Sequence, residues 1–314
     1  MKNNHKLTTV GLIGIPVLLA GYVAFNWAPD RPVSALRERW APPPSIFVDI
    51  AGMRVHLRDE GPCNDRTPIV LLHGAASSLH TWDGWVEELA KNRRVVRFDL
   101  PGFGLTGPTP DGNYSFDRYA RFVITLVEKL GIKRFHLAGN SLGGNVAWYI
   151  ALTHAERVEK LILVDATGYR YKPDSVPLAL RLAKFSVLKN ITAHFLPRGI
   201  VSHSIKSIYG DPTKVTDEQI DRYYELALRE GNRTNLAARF EQLPIGRCES
   251  CIRLLRVPTL IIWGAKDRLV PLKCAHRFHH DIKGSQLKVF DQLGHVPQEE
   301  DPLSTAEAVE AFIL

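Results

Sequence analysis

The pentapeptide Gly139-Asn-Ser-Leu-Gly143 sets a serine between two glycines, where a short apolar run ends and a helical pattern begins. A turn of that kind exposes its hydroxyl on a sharp bend, and the glycines leave room for the bend and for the helix to approach. Ser141 is the candidate nucleophile. It needs a base and a group to orient the base. Of the twelve histidines, His295 follows the last strand-like run, in Gly294-His295, and is the candidate base. The pair His279-His280 falls inside a helical pattern instead. The candidate acid is Asp267, closing Gly264-Ala-Lys-Asp267, and its competitor is Asp165, which ends the preceding apolar run. His73-Gly-Ala-Ala-Ser77 follows another strand-like run. Its Ala75 N–H and the N–H of Leu142 are candidate donors to a developing oxyanion. Together these groups can transfer an acyl group: Ser141, deprotonated by His295, attacks a carbonyl, and water then releases the product.

Each residue must be carried by an element that aims it at the others. The runs 68–72, 94–99, 135–138, 160–165 and 258–263 are short and apolar at their centres, as strands covered on both faces are. Helical spacing follows at about 81–91, 115–130, 142–154, 272–281 and 303–313. Such alternation predicts a parallel sheet with helices on both faces. Ser45–Ile50 and Met53–Glu60 precede it as a hairpin turning at Ala51-Gly52. The rhythm stops between 168 and 246. There Leu178–Val187 and Asp217–Arg229 have helical spacing, and Pro173, Pro177, Pro197 and Pro212 break the segment. A helical insertion is expected.

The chain has 314 residues, 45% hydrophobic and 23% charged, which excludes disordered and fibrous classes. Its net charge of +7 divides into +3 over residues 1–45 and +4 over 169–250, with the remainder neutral. No dense basic face results, so nucleic-acid binding is not expected. Between Lys6 and Asp30 there is no charge, a run long enough for a helix across a bilayer, with Trp27 at its edge. The nearest cleavage signal, Leu18-Leu19-Ala20, is poor. Residues 1–27 are therefore expected to be an uncleaved signal anchor, 28–44 a stiff Pro-rich linker, and the catalytic domain extracytoplasmic. Cys248 and Cys251 form a C-x-x-C without a second such pair, so a zinc site is not expected. Free thiols and a single disulfide are both open.

Leu72-His73-Gly74, Phe98-Asp-Leu-Pro-Gly-Phe-Gly104, Gly139-Asn-Ser-Leu-Gly-Gly144, Trp263-Gly-Ala-Lys-Asp267 and Gly294-His295 occur in that order. Over about residues 45–314 the chain resembles the serine-nucleophile branch of the α/β-hydrolase superfamily. The resemblance implies an α/β fold with a mostly parallel eight-stranded sheet. It implies core segments 45–167 and 251–314, a helical cap over 168–250, and no metal or organic cofactor. The order Ser141, Asp267, His295 is that of the family. The serine separates the chain from epoxide hydrolases and haloalkane dehalogenases, which place an aspartate at the elbow. Gly-Asn-Ser-x-Gly-Gly is similar to the elbow of the carbon–carbon bond hydrolases of aromatic-ring degradation. Those have a Gly-Pro-Gly-rich oxyanion loop, where this chain has Ala75-Ala-Ser-Ser78. The expected function is hydrolysis of a small apolar or amphipathic carboxylic ester. The alternative is carbon–carbon cleavage of a vinylogous diketone, and a non-catalytic, membrane-tethered binding module represents another class. The cap aromatics Tyr169, Tyr171, Phe185, Phe195, Tyr209, Tyr223 and Tyr224 are expected either to line a pocket or to pack the cap.

Overall fold

A strand of four residues such as Ile69–Leu72 holds its place only if both faces are covered. The computed structural model, which describes residues 21–183 and 194–314, supplies that cover. Ile69–Leu72 (β3), Val95–Phe98 (β4), Phe135–Asn140 (β5), Val158–Val164 (β6) and Thr259–Gly264 (β7) form the centre of an eight-stranded sheet. Successive side chains point to opposite faces. Val70, Leu72, Leu137, Leu163 and Trp263 thus meet Phe122, Val146 and Phe278 in one core. Those three come from the helices α3 (Phe116–Lys129), α4 (Leu142–Thr153) and α9 (Lys273–Asp281). Ile69, Leu71, Ala138, Ile162 and Ile262 meet Trp82, Trp85 and Val309 in the other core. Truncating one such leucine to alanine costs about 2–5 kcal/mol.

The sheet order is β1-β2-β4-β3-β5-β6-β7-β8. Ile46–Ile50 (β1) and Met53–Glu60 (β2) make the expected antiparallel hairpin, turning at Ala51-Gly52, and β2 runs antiparallel to β4. The other pairings, out to Gln286–Phe290 (β8), are parallel. A common direction brings the carboxyl ends of β3, β5, β6, β7 and β8 to one edge, where open α/β sheets hold their ligands. The pattern expected as one helix near 81–91 divides into a 3₁₀ turn, Leu79–Trp82, and the helix α2 (Asp83–Leu89). The turn is fixed because the Leu79 N–H donates to Asp99 Oδ1 at 2.8 Å.

Between β6 and β7 the described residues form helices: α5 (Leu178–Ala183), α6 (Arg198–Lys206), α7 (Asp217–Ala227) and α8 (Leu236–Gln242). A reciprocal capping box of Thr216 and Gln219 starts α7. The stretch 184–187 of the expected first cap helix, with Phe185, lies outside the described residues.

The segment 28–44 differs from a free linker. It contains the helix α1 (Val33–Trp40), with Leu36 and Trp40 buried. Its side chains reach the cap: Arg39 Nη1 and Trp40 Nε1 both donate to Glu225, and Asp30 pairs with Arg233. The backbone of Ala28 donates to His194 O at 2.8 Å. Proline content suggested stiffness, but the apolar pair Leu36 and Trp40 draws the segment onto the domain. Most of the expected membrane span, residues 1–20, lies outside the described residues. Residues 21–25 are helical, and among the described residues no helix is long and apolar enough to cross a membrane. Cys248 and Cys251 are disulfide-bonded, while Cys63 and Cys274 are free.

Candidate active site

The turn from β5 into α4 puts Ser141 at φ 54°, ψ −115°. An L-residue reaches that region only at a cost. Here its N–H donates to Val164 O at 3.0 Å and its carbonyl accepts from Asn145 N–H at 3.1 Å, which hold it there. The flanking glycines are sterically required. A Cβ on Gly139 would strike the Gly143 carbonyl, and one on Gly143 would strike that of Leu72.

After β8, Gly294 and His295 return toward this elbow. His295 Nδ1 lies 2.7 Å from Asp267 Oδ2, both groups being buried. The other oxygen, Asp267 Oδ1, accepts the N–H groups of Leu269 (2.7 Å) and Val270 (2.9 Å), so the carboxylate cannot turn away. With Asp267 accepting at Nδ1–H, Nε2 is left to face the cavity. Asp165 lies beside the pair but holds Gly264 N–H through Oδ1 at 3.1 Å, and its Oδ2 has no partner. Burial, and then the neighbouring Asp267 charge, push the Asp165 carboxyl well above the usual carboxylate range. Asp165 is thus biased toward its protonated form, while Asp267 is the carboxyl group placed against His295 Nδ1. Ligating atoms of Asp165, Asp267 and His295 fall within 4.8 Å of one another, a spacing a cation could use, although Nδ1 is already taken by Asp267.

Ser141, His295, Ala75 and Leu142 all line one cavity of about 330 Å³. Among the described residues no hydrogen bond joins the Ser141 hydroxyl to His295; such contacts tighten on substrate binding. The N–H groups of Ala75 and Leu142 find no protein acceptor among the described residues. Leu142 opens a helix, where orphan donors are the rule. The loop carrying Ala75 is set by His73, whose Nε2 accepts the Leu100 N–H (2.9 Å) and whose Nδ1 donates to Gly74 O (2.7 Å). Burial lowers the His73 pKa, which keeps it neutral.

The structure brings together all five residues expected from sequence, and leaves Asp165 off the histidine. It adds groups that the sequence did not mark. Asn140, to which the sequence assigns no role, donates from Nδ2 to Val164 O (3.2 Å) and to His295 O (3.0 Å), tying the elbow to the histidine loop. Glu300 accepts from Gly294 N–H (2.6 Å) on that loop and from Gly210 N–H (2.8 Å) in the cap. The likeness of Gly-Asn-Ser-x-Gly-Gly to the carbon–carbon hydrolase elbow points to the Asn140 position but not to these bonds.

The rest of the cavity wall is mostly apolar and comes largely from the cap, including Leu180, Phe195, Ile200, Val201 and Leu243. Of the cap aromatics, Tyr171, Phe195 and Tyr223 line it, whereas Tyr169 and Tyr209 are buried in packing and Tyr224 packs against the cap cluster.

The family model described as alpha/beta hydrolase fold matches residues 67–302. The chain belongs to the alpha/beta hydrolase fold family. Among relatives of this hydrolase, a 2-hydroxymuconate semialdehyde hydrolase of Pseudomonas putida is 31% identical over 277 residues, covering 84% of this chain and 92% of that one. A meta-cleavage product hydrolase of Pseudomonas fluorescens IP01 superimposes with a TM-score of 0.73 at 28% identity, over 85% of this chain and 97% of that one. A membrane phospholipase A superimposes with a TM-score of 0.75 over 98% of both chains, and at 23% identity that likeness is one of fold.

Proposed function

We propose that this hydrolase cleaves a carboxylic ester of an apolar or amphipathic substrate through an acyl-enzyme on Ser141. His295 acts as base, Asp267 orients it, and the Ala75 and Leu142 N–H groups hold the oxyanion. The supporting observation is the His295–Asp267 pair at 2.7 Å, facing the same largely apolar cavity as the Ser141 elbow. An acyl chain covers the apolar part of such a wall.

A second reading has specific support. The relatives named above as semialdehyde and meta-cleavage product hydrolases favour carbon–carbon cleavage over ester hydrolysis. Arg233 and Arg239 also line the cavity, each with Nε and Nη1 lacking a partner. An acid group on a ring-fission substrate would be drawn toward these two charges, whose Nη2 atoms bond Asp30 and Asn232 O. Steady-state assays on a neutral aryl ester and on a vinylogous diketone acid separate the two readings. Under the ester reading the aryl ester is turned over with the higher kcat/KM. The reverse order establishes the second reading. Absence of both turnover and fluorophosphonate labelling leaves a binding module.

We further propose tethering to a membrane through the N-terminus, with the domain on the extracytoplasmic side. The uncharged stretch between Lys6 and Asp30 supports it. So does the exposure of Tyr22 (53%), Phe25 (88%) and Trp27 (55%), which continue that stretch into the described residues. The full-length protein should remain in the membrane fraction through a carbonate wash, and release would overturn the tether.

A further inference from the structure

Glu299 lies four residues beyond His295, on the short helix α10 (Pro297–Glu300), with its side chain only 3% exposed. Four cap groups converge on it. Tyr209 Oη donates to Oε2 at 2.8 Å, Arg222 Nη2 to Oε2 at 2.9 Å, Gln219 Nε2 to Oε2 at 3.4 Å, and Tyr223 Oη to Oε1 at 2.8 Å. A buried carboxylate with this many donors is satisfied, and removing it would leave buried Arg222 with only Asp83, 3.9 Å away, as an anionic neighbour among the described residues.

Two of those donors also reach the loop that carries Ala75 and the 3₁₀ turn that follows it. Ser77 Oγ donates to Tyr223 Oη at 3.4 Å, and Arg222 Nη1 donates to His80 O at 3.3 Å. The adjacent residues Arg222 and Tyr223 on α7 therefore touch the oxyanion loop at Ser77 and the 3₁₀ turn that follows it at His80. Both take their own position from Glu299, on the segment that follows the catalytic histidine. Burial of the Tyr223 phenol, and the Glu299 charge beside it, raise its pKa, so it remains a donor over the working range.

We propose that Tyr223 and Glu299 are positioning residues: the cap helix, latched to the histidine segment through Glu299, sets the oxyanion loop through the Tyr223–Ser77 contact. Cap docking then does more than enclose the cavity, because it fixes where the Ala75 N–H points. A donor displaced by a fraction of an ångström loses much of its value to a developing charge. This positioning role rests on the oxyanion role proposed for Ala75.

Tyr223→Phe keeps the ring and removes only the hydroxyl. On a short aryl ester, kcat should fall about tenfold or more while KM changes little, because an oxyanion contact acts in the transition state. Affinity for an alkyl boronic acid, which forms a tetrahedral adduct on Ser141, should fall by the same factor. Binding of an uncharged ground-state ligand such as the parent alcohol should not change. Ser77→Ala should give the same phenotype and add little in the double variant. It leaves Glu299 satisfied, so it stands in if Tyr223→Phe folds poorly. Full kcat and boronate affinity in both folded variants would overturn the proposal. Failure of the serine mechanism itself would read differently, as turnover without any boronate inhibition of the parent protein.

Discussion

The sheet edge and the cap meet at one cavity, but they hold their contributions to it in different ways. At the edge, Ser141 is set mainly by backbone, and the loops of His295 and Ala75 by neighbouring side chains that bond their main chain. Ser141 takes a strained φ at the elbow, Gly139 and Gly143 lie too close to neighbouring carbonyls to carry a side chain, and the His73 imidazole bonds to the main chain on both sides. The cap instead reaches the site through side chains that cross long stretches of sequence, as Tyr223 reaches Ser77 and Glu299. Groups fixed by backbone tolerate almost no change in residue type, whereas the cap can alter its lining and keep its fold. The candidate reacting groups therefore come from the edge, while the cap supplies most of the lining and, through Tyr223, a contact to the loop that carries Ala75.

The sharpest test of that division is the choice of acid. Asp267→Asn should lower kcat by about 10³–10⁴, since the amide favours the wrong imidazole tautomer. Asp165→Asn should cost less than about tenfold, because Asp165 bonds Gly264 rather than His295 and burial raises its pKa toward the neutral form. Equal losses would mean that the two carboxyls act as one unit. The next test addresses steric tightness. Gly143→Ala puts a methyl against the Leu72 carbonyl and should destabilise the fold by about 3 kcal/mol in urea titration, at the severe end for overpacking. An unchanged midpoint would mean that the elbow has room to spare.

On the cap side, Leu243→Ala or Phe195→Ala should raise KM for long-chain esters about tenfold while leaving kcat on acetate esters near that of the parent, the signature of lost uniform binding. A fall in kcat on acetate esters would place those residues in the chemistry. The smallest expected effect concerns stability and pH. The raised pKa of Asp165 means that the folded protein binds more protons there than the unfolded chain. Its contribution is thus present below the unfolded value of about 3.9 and is lost as pH rises through the folded one. Asp165→Asn removes that contribution, so stability should decline less between acid and neutral pH. A parallel decline in both proteins would show that Asp165 ionises normally.

The same contrast explains what could be seen in the sequence. Strands buried on both faces leave continuous apolar runs, and parallel pairing sends their ends to one edge, so β3, β5, β7 and the positions of Ser141, Asp267 and His295 were all legible. Which of Asp165 and Asp267 faces His295 Nδ1 is visible only in the folded arrangement, because both follow strands. Glu299, Tyr223 and the anchoring of α1 on Glu225 depend on side chains brought together by the cap's tertiary path, and no local spacing encodes them. The segment 28–44 misled because proline content reports backbone stiffness and not whether Leu36 and Trp40 find a surface to cover.

An acyl group carried by Ser141 is the central claim. Rapid quench of the full-length protein with an excess of aryl ester, followed by intact mass and peptide mapping, tests it directly. The serine mechanism predicts a burst of leaving group matched by an adduct of acyl mass on the peptide containing Ser141, with both absent in folded Ser141→Ala. Turnover by Ser141→Ala at the parent rate, or an acyl adduct on any other residue, would contradict it.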